Sequence, residues 1–256
     1  MGYIFNYNDA VVYEQRCNIP KNKAAAELEN RLMLRMLRPM RGESVIDIGC
    51  GTGAAMLPFL GAGMSATGMD PSPYMIDIAS EKMKSRADLH HGFAEDLPFD
   101  DNAFHYAVLV KSLEFVDDPR KAVEEACRVA KNKVFIGVLN RYSIKVTGLR
   151  AKRIFTNSIY NHAHFFSIWE LKQILRDILG DVPVSWRTVC QFSRGSGSIS
   201  SRIESSEFVQ RCPFGAFTGI AVTLLPRFRT MPLELPYEAD APKNGTAVGL
   251  AKTKAE

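Results

Sequence analysis

Apolar positions along the chain alternate between two rhythms. Short apolar runs read as strands: Ser44 to Ile48, Met64 to Met69, Phe104 to Val110, Asn132 to Leu139, and a weaker one from Asp88 to Gly92. Between them, apolar residues return every three or four positions, as on a helix that buries one face. Met75, Ile76, Ala79 and Met83 form one such stripe, and Ala122, Val123, Ala126, Val129 and Ala130 form another. The run Ala107-Val108-Leu109-Val110 has no polar alternation, which fits a strand covered on both faces. Strand and helix in regular succession predict an α/β protein with a parallel sheet and crossover helices.

Breakers refine the boundaries. The helix-rich stretch from Lys21 to Met36 buries Ala25, Leu28, Leu32, Met33 and Met36, follows Pro20, which is expected to end the mixed aromatic start, and stops at Pro39 and Gly42. Pro58 lies inside a helix expected from Gly53 to Leu60, so that helix should be kinked or short. Asp117-Asp118-Pro119 reads as a helix start. After Leu139 the rhythm changes. A periodic helix from Ser167 to Leu179 ends at Gly180, and two strands follow, around Val182 to Thr188 and Phe217 to Leu225. One domain is expected over 1–225, with an N-terminal lid and helix in 1–40 and insertions at 140–165 and 191–213. Pro226, Pro232, Pro236 and Pro242 predict an extended tail over 226–256.

Composition narrows the class. The chain has 256 residues, 46% of them hydrophobic and 23% charged, which is ordinary for a globular protein. A net charge of +4, evenly spread, gives no argument for nucleic acid. The five cysteines stand singly without a CxxC pair, so neither a zinc nor a redox motif is expected and a reducing compartment is. No apolar run approaches the roughly 20 residues of a membrane span. No secretory signal follows Met1, and the expected location is cytoplasmic.

The chemistry concentrates where the first strand meets Gly49-Cys50-Gly51-Thr52-Gly53. Glycines there allow positive φ and the close approach of a ligand, and ligands sit at the carboxyl ends of strands in open α/β sheets. Asp47 lies within the strand, where an acid must bind something or be paired. Asp70 ends the next strand, about 20 residues on, where a carboxylate can accept both hydroxyls of a ribose. A helix cap before Pro71 is its alternative role.

Val45 to Gly53 resembles motif I of the class I S-adenosylmethionine (SAM)-dependent methyltransferases. More narrowly, Asn8 to Glu14, Gly92 to Phe104 and His164-Phe165-Phe166-Ser167 with Glu170-Leu171 are similar to segments of the ubiquinone-, menaquinone- and biotin-pathway branch. The resemblance implies a Rossmann-like, seven-stranded, mostly parallel sheet with helices on both faces, an antiparallel last strand, a helical N-terminal lid and a small insertion near the C-terminus. It implies that Gly49, Cys50 and Gly51 approach the cofactor through backbone, that Asp47 supports its amino group, that Asp70 binds its ribose hydroxyls, and that Met69 and Pro71 flank its adenine. Ala94 and Glu95 would meet the adenine edge, with Phe93 standing where the family often has an acid. Val110, Lys111 and Ser112 would border the methionine end, and Tyr13 would close over the site. The cofactor would be SAM, with S-adenosylhomocysteine (SAH) as product and no metal. The insertions would border a small-molecule acceptor, and a homodimer is left open.

No residue carries base chemistry on its face. His162, His164, Glu114 and Tyr160 are the candidates, the two histidines sharing a pocket if their segment is extended. Phe165 and Phe166 read as core, His90-His91 as strand-end surface, and Lys145 to Arg153 as a solvated basic face. Competing functions are a methyltransferase for RNA or protein, an NAD-linked oxidoreductase on the same turn, and a module that holds SAM without turnover.

Overall fold

Seven strands form one sheet in the order β3-β2-β1-β4-β5-β7-β6. They are β1 (Ser44–Ile48), β2 (Ser65–Asp70), β3 (Asp88–His91), β4 (Phe104–Val110), β5 (Ala130–Leu139), β6 (Val184–Val189) and β7 (Phe217–Thr223). Strands β1 to β5 pair in parallel, and β7 runs antiparallel between β5 and β6. The strand order reverses between β1 and β4, which opens a crevice above their carboxyl ends. The structure, a computed structural model, describes residues 2–143, 146–148, 159–190 and 206–224. The expected tail and most of the insertions at 140–165 and 191–213 lie outside the described residues.

The helices are α1 (Tyr7–Asn18), α2 (Pro20–Leu37), α3 (Leu57–Gly61), α4 (Pro73–Met83), α5 (Pro119–Val129), α6 (Ile168–Leu179) and α7 (Glu207–Gln210). Two cores sandwich the sheet. Leu32, Met33, Leu37, Phe59 and Met83 meet Val108 and Phe135 on one face. Ala122, Val123, Ala126, Leu171 and Leu175 meet Ala107, Leu109 and Ile136 on the other. Neighbouring residues of β4 and β5 thus point into opposite cores, which is why the run Ala107 to Val110 lacks polar alternation. Full burial of each large aliphatic side chain is worth about 1.5–3 kcal/mol.

Several boundaries differ from the expected ones, each for a local reason. Pro20 opens α2 rather than closing what precedes it, because its missing N–H costs nothing in a first turn. Pro58 likewise sits in the first turn of α3, which is short, as expected, but begins only at Leu57. Ala130 belongs to β5, which follows α5 without a loop. The caps of α1 and α6 are reciprocal boxes, Asn6 with Asp9 and Ser167 with Glu170. Gly180 ends α6 at φ 75°. Phe165 and Phe166 are core, as their sequence reads. No described helix is long and apolar enough to cross a membrane.

Ahead of α1, residues 2–6 form a strap across the carboxyl edge of the sheet. The Tyr3 amide donates to the Phe115 carbonyl beyond β4 at 2.8 Å, and Ser72 Oγ beyond β2 donates to the Phe5 carbonyl at 2.7 Å. Since β1 lies between β2 and β4, the strap crosses above the glycine turn. Phe5 packs edge-on to Phe115 and Tyr13, and Tyr3 Oη donates to Asp9.

Candidate functional site

The glycine turn is left-handed three times over: Gly49, Gly51 and Gly53 have φ of 72°, 52° and 78°. The Gly49 and Cys50 amides both donate to the Met69 carbonyl, at 2.7 and 3.0 Å, which binds the turn to β2. A side chain at Gly49 would collide with Ser112, whose Oγ donates to the Ile48 carbonyl at 2.7 Å. At Gly51, by contrast, a Cβ would meet nothing nearer than Met75 Sδ at 4.0 Å. That open side is where a ligand can approach backbone. Cys50 is buried, and burial pushes its thiol up, so it offers the site its backbone.

Asp70 orders this turn. Its Oδ2 accepts from the Gly51 amide at 2.8 Å and its Oδ1 from the Ser72 amide at 2.9 Å. Ser72 caps α4, accepting from the Met75 amide, so Asp70 is not the helix cap. Burial raises the Asp70 carboxyl, and the two amides oppose the rise.

Asp47 is the anomaly. It is 1% exposed, and neither carboxylate oxygen has a hydrogen-bond partner. Burial, and then the Asp70 charge, push its carboxyl up to about 7. An orphaned acid inside a strand is costly unless a ligand completes it, so the residues present fit a cofactor that brings a cationic amino group. The sign of its linkage to stability follows. A carboxyl whose folded pKa lies above its unfolded value destabilises the native state increasingly as pH rises between the two values, each unit being worth about 1.4 kcal/mol. Asp47→Asn should therefore flatten the loss of stability between pH 4 and 7 while weakening SAH binding. Denaturant midpoints at pH 5 and pH 8 check the first effect; equal losses in wild type and variant would refute it.

The other expected residues are placed as follows. The Pro71 carbonyl accepts from His91 Nε2 at 2.8 Å, and His90 packs against Phe99, so the His90-His91 pair is strand-end surface. Phe93 is 39% exposed, and Ala94 is buried. The Glu95 side chain accepts from the Asp117 amide at 2.9 Å and so steadies the loop before α5. Lys111, at φ 56°, does not extend toward the turn; its Nζ pairs with Glu29 Oε2 on α2 at 2.6 Å. Burial opposes its charge, but Glu29 and then Tyr13 hold its pKa above the ordinary lysine range. Val110 is half-buried at the end of β4. Tyr13 is half-buried beside this pair, and burial raises its phenol. The Glu29–Lys111 pair was not foreseen, and its 82-residue separation leaves no sequence signal.

The two histidines do not share a pocket. A 3-10 turn, Ile159–Asn161, precedes them. His162 stacks on Tyr3 at 4.1 Å, whereas His164 Nε2 lies 2.9 Å from Glu170 and 3.2 Å from Arg141. Tyr160 packs with Phe165, and its phenol is raised by burial. An open cleft of 380 Å³ lies at Tyr3, Phe115 and His162. None of its lining residues belongs to the glycine turn. Among the described residues no cluster of His, Cys, Asp and Glu is placed to hold a metal. Most of the basic stretch from Lys145 to Arg153 lies outside the described residues.

A glycine turn at the switch point of this sheet, with one acid inside β1 and one ending β2, defines a Rossmann-like nucleotide-binding fold. Residues 46–136 match a family described as a methyltransferase domain. The chain is 34% identical over 135 residues to an uncharacterized protein of Methanocaldococcus jannaschii, covering 52% of this chain and 62% of that protein. It is 36% identical over 106 residues to a demethylmenaquinone methyltransferase of Listeria welshimeri, covering 38% and 44%. The matched stretches thus span less than two thirds of these relatives. A SAM-dependent methyltransferase of Thermotoga maritima, described as a possible histamine N-methyltransferase, superposes with a TM-score of 0.60 at 25% identity, over 83% of this chain and 95% of that one. A magnesium protoporphyrin IX methyltransferase from Synechocystis, solved with SAH, shares the fold at 14% identity and a TM-score of 0.57, over 80% of this chain and 84% of that one. Residues 46–136 thus carry a methyltransferase domain, and the fold around them is similar to that of SAM-dependent methyltransferases.

Proposed function

We propose that this protein is an enzyme that transfers the methyl group of SAM to a small-molecule acceptor. The observation that carries this reading is the orphaned carboxylate of Asp47 beside an Asp70-ordered glycine turn with an open face at Gly51. When bound, SAM supplies a methyl group already activated on a sulfonium, so the protein's work is to position and to exclude water. Asp47 would take the cofactor's amino group, the Gly49 to Gly51 backbone would line its amino-acid and ribose parts, and Asp70 its ribose hydroxyls. The strap and Tyr13 would close above it. The methyltransferases named above are described with different acceptors, so the acceptor is not taken from them.

Calorimetric titration of the full chain with SAH and with NAD tests the reading. SAH is expected to bind and NAD not to. Binding of NAD without SAH would overturn the proposal in favour of the oxidoreductase. Transfer of labelled methyl from SAM to a small-molecule extract separates an enzyme from a module that only holds the cofactor.

A further inference from the structure

Glu114 is a second acid that the fold buries without completing. It lies in a 3-10 turn, Leu113–Phe115, just beyond β4, and is 2% exposed. Its Oε1 accepts from the Leu139 amide at 2.7 Å, while Oε2 is buried with no hydrogen-bond partner. Its carbonyl accepts from the His164 amide at 2.8 Å, which draws the segment after β5 against the turn. Phe115, Leu139, Tyr160 and Phe165 belong to the small apolar cluster formed there.

The charged and titratable groups that face Glu114 are Lys111 on the β4 side, Glu29 from α2 and Tyr160, with Tyr13 of α1 behind Lys111. Lys111 is already spent on Glu29, so the cluster holds one carboxylate more than it can neutralise. Burial pushes the Glu114 carboxyl up to about 7, against the Leu139 amide. Holding one amide needs one oxygen; the other has no structural task. Glu114 lies two residues beyond Ser112, the residue that packs on Gly49, and so shares the edge on which the methyl donor would lie.

Resting on the methyl-transfer reading, we propose that Glu114 is the acceptor-binding acid, and that its Oε2 takes the ammonium group of a small amine and removes one proton from it. The freed nitrogen lone pair then attacks the methyl carbon. The N–C bond forms, the C–S bond breaks with its electron pair left on sulfur, and the product leaves as an N-methylammonium ion. Glu114 returns its proton to solvent. A cation suits this position because it cancels the surplus negative charge. A neutral alcohol would leave that charge uncompensated.

The test titrates the SAH-saturated full chain with propylamine, putrescine, phenethylamine and tyramine, each against the alcohol of the same skeleton. At least one amine is expected to bind where its alcohol does not, with affinity rising from pH 6 to pH 8 as the carboxyl ionises. Glu114→Gln is expected to lose amine affinity by roughly tenfold or more, as befits a charged hydrogen bond, with SAH affinity unchanged. Glu114→Asp should recover part of the loss. Equal binding of alcohols, amine binding undiminished in Glu114→Gln, or no amine bound by the SAH-loaded protein would each overturn the proposal. If Glu114→Gln fails to fold, the amine–alcohol contrast and the pH dependence of the wild type decide. Failure of SAH itself to bind would instead overturn the methyl-transfer reading beneath it.

Discussion

Asp70→Ala is expected to lower SAH affinity by roughly two to four decades, since each hydrogen bond to a charged group is worth about 1.5–3 kcal/mol and a ribose offers two. The carboxylate also organises the apo site. Without it the Gly51 and Ser72 amides lose their acceptors, so the turn loosens as well as losing its ligand contact. Asp70→Asn separates the two effects. Its remaining oxygen can keep the Gly51 amide while the charge is gone, so it should fall between wild type and Asp70→Ala. Calorimetry with SAH, on variants shown to be folded by their thermal transitions, gives the ranking. An Asp70→Ala variant that is folded and binds SAH as wild type does would remove Asp70 from the site.

The glycines of the turn should divide into two kinds. Gly49→Ala is expected to cost about 2–4 kcal/mol of stability, from a left-handed φ together with overlap against Ser112, which is itself fixed to Ile48. Gly51→Ala also pays for its positive φ, about 1–2 kcal/mol, but its methyl group meets open space. Its main loss should be in SAH binding, because the added carbon occupies the face the ligand approaches. Denaturant melts and SAH titrations on both variants test this. A Gly49→Ala protein as stable as wild type would refute the steric account, and a Gly51→Ala protein with unaltered SAH binding would move the ligand elsewhere.

What could be read from the sequence was whatever depends on near neighbours. Residues Val45 to Gly53 carry their strand and turn in nine consecutive letters, and the stripes of α4, α5 and α6 are set by spacing alone. The sheet's parallel part followed from strand–helix succession. Pro20 was misjudged because a first-turn proline and a helix-breaking proline look alike until the preceding residue's conformation is known, whereas Pro58 does lie in a short helix, one that starts later than expected. The Asp70 carboxylate was found by its place at a strand end, but its hold on Gly51 spans a loop and was not legible. Less legible still were groups whose partners lie far along the chain. Glu29 with Lys111, Ser112 against Gly49 and Tyr3 on His162 arise only when the sheet has brought distant segments to one edge. The same reason left Glu114 indistinguishable from three other candidates, since burial and a missing partner are properties of the assembled edge.

The strap gives the site a clock. Anything lodged over the glycine turn lies beneath residues 2–6, which two hydrogen bonds and the Phe5 and Tyr3 ring contacts fasten at Phe115 and Ser72. In the methyl-transfer reading, a spent cofactor would have to wait for that fastening to open, and its residence time would follow the strap. Ser72→Ala, which removes one fastening, would then shorten residence more than it weakens the contacts themselves, and turnover would be paced by the same few bonds.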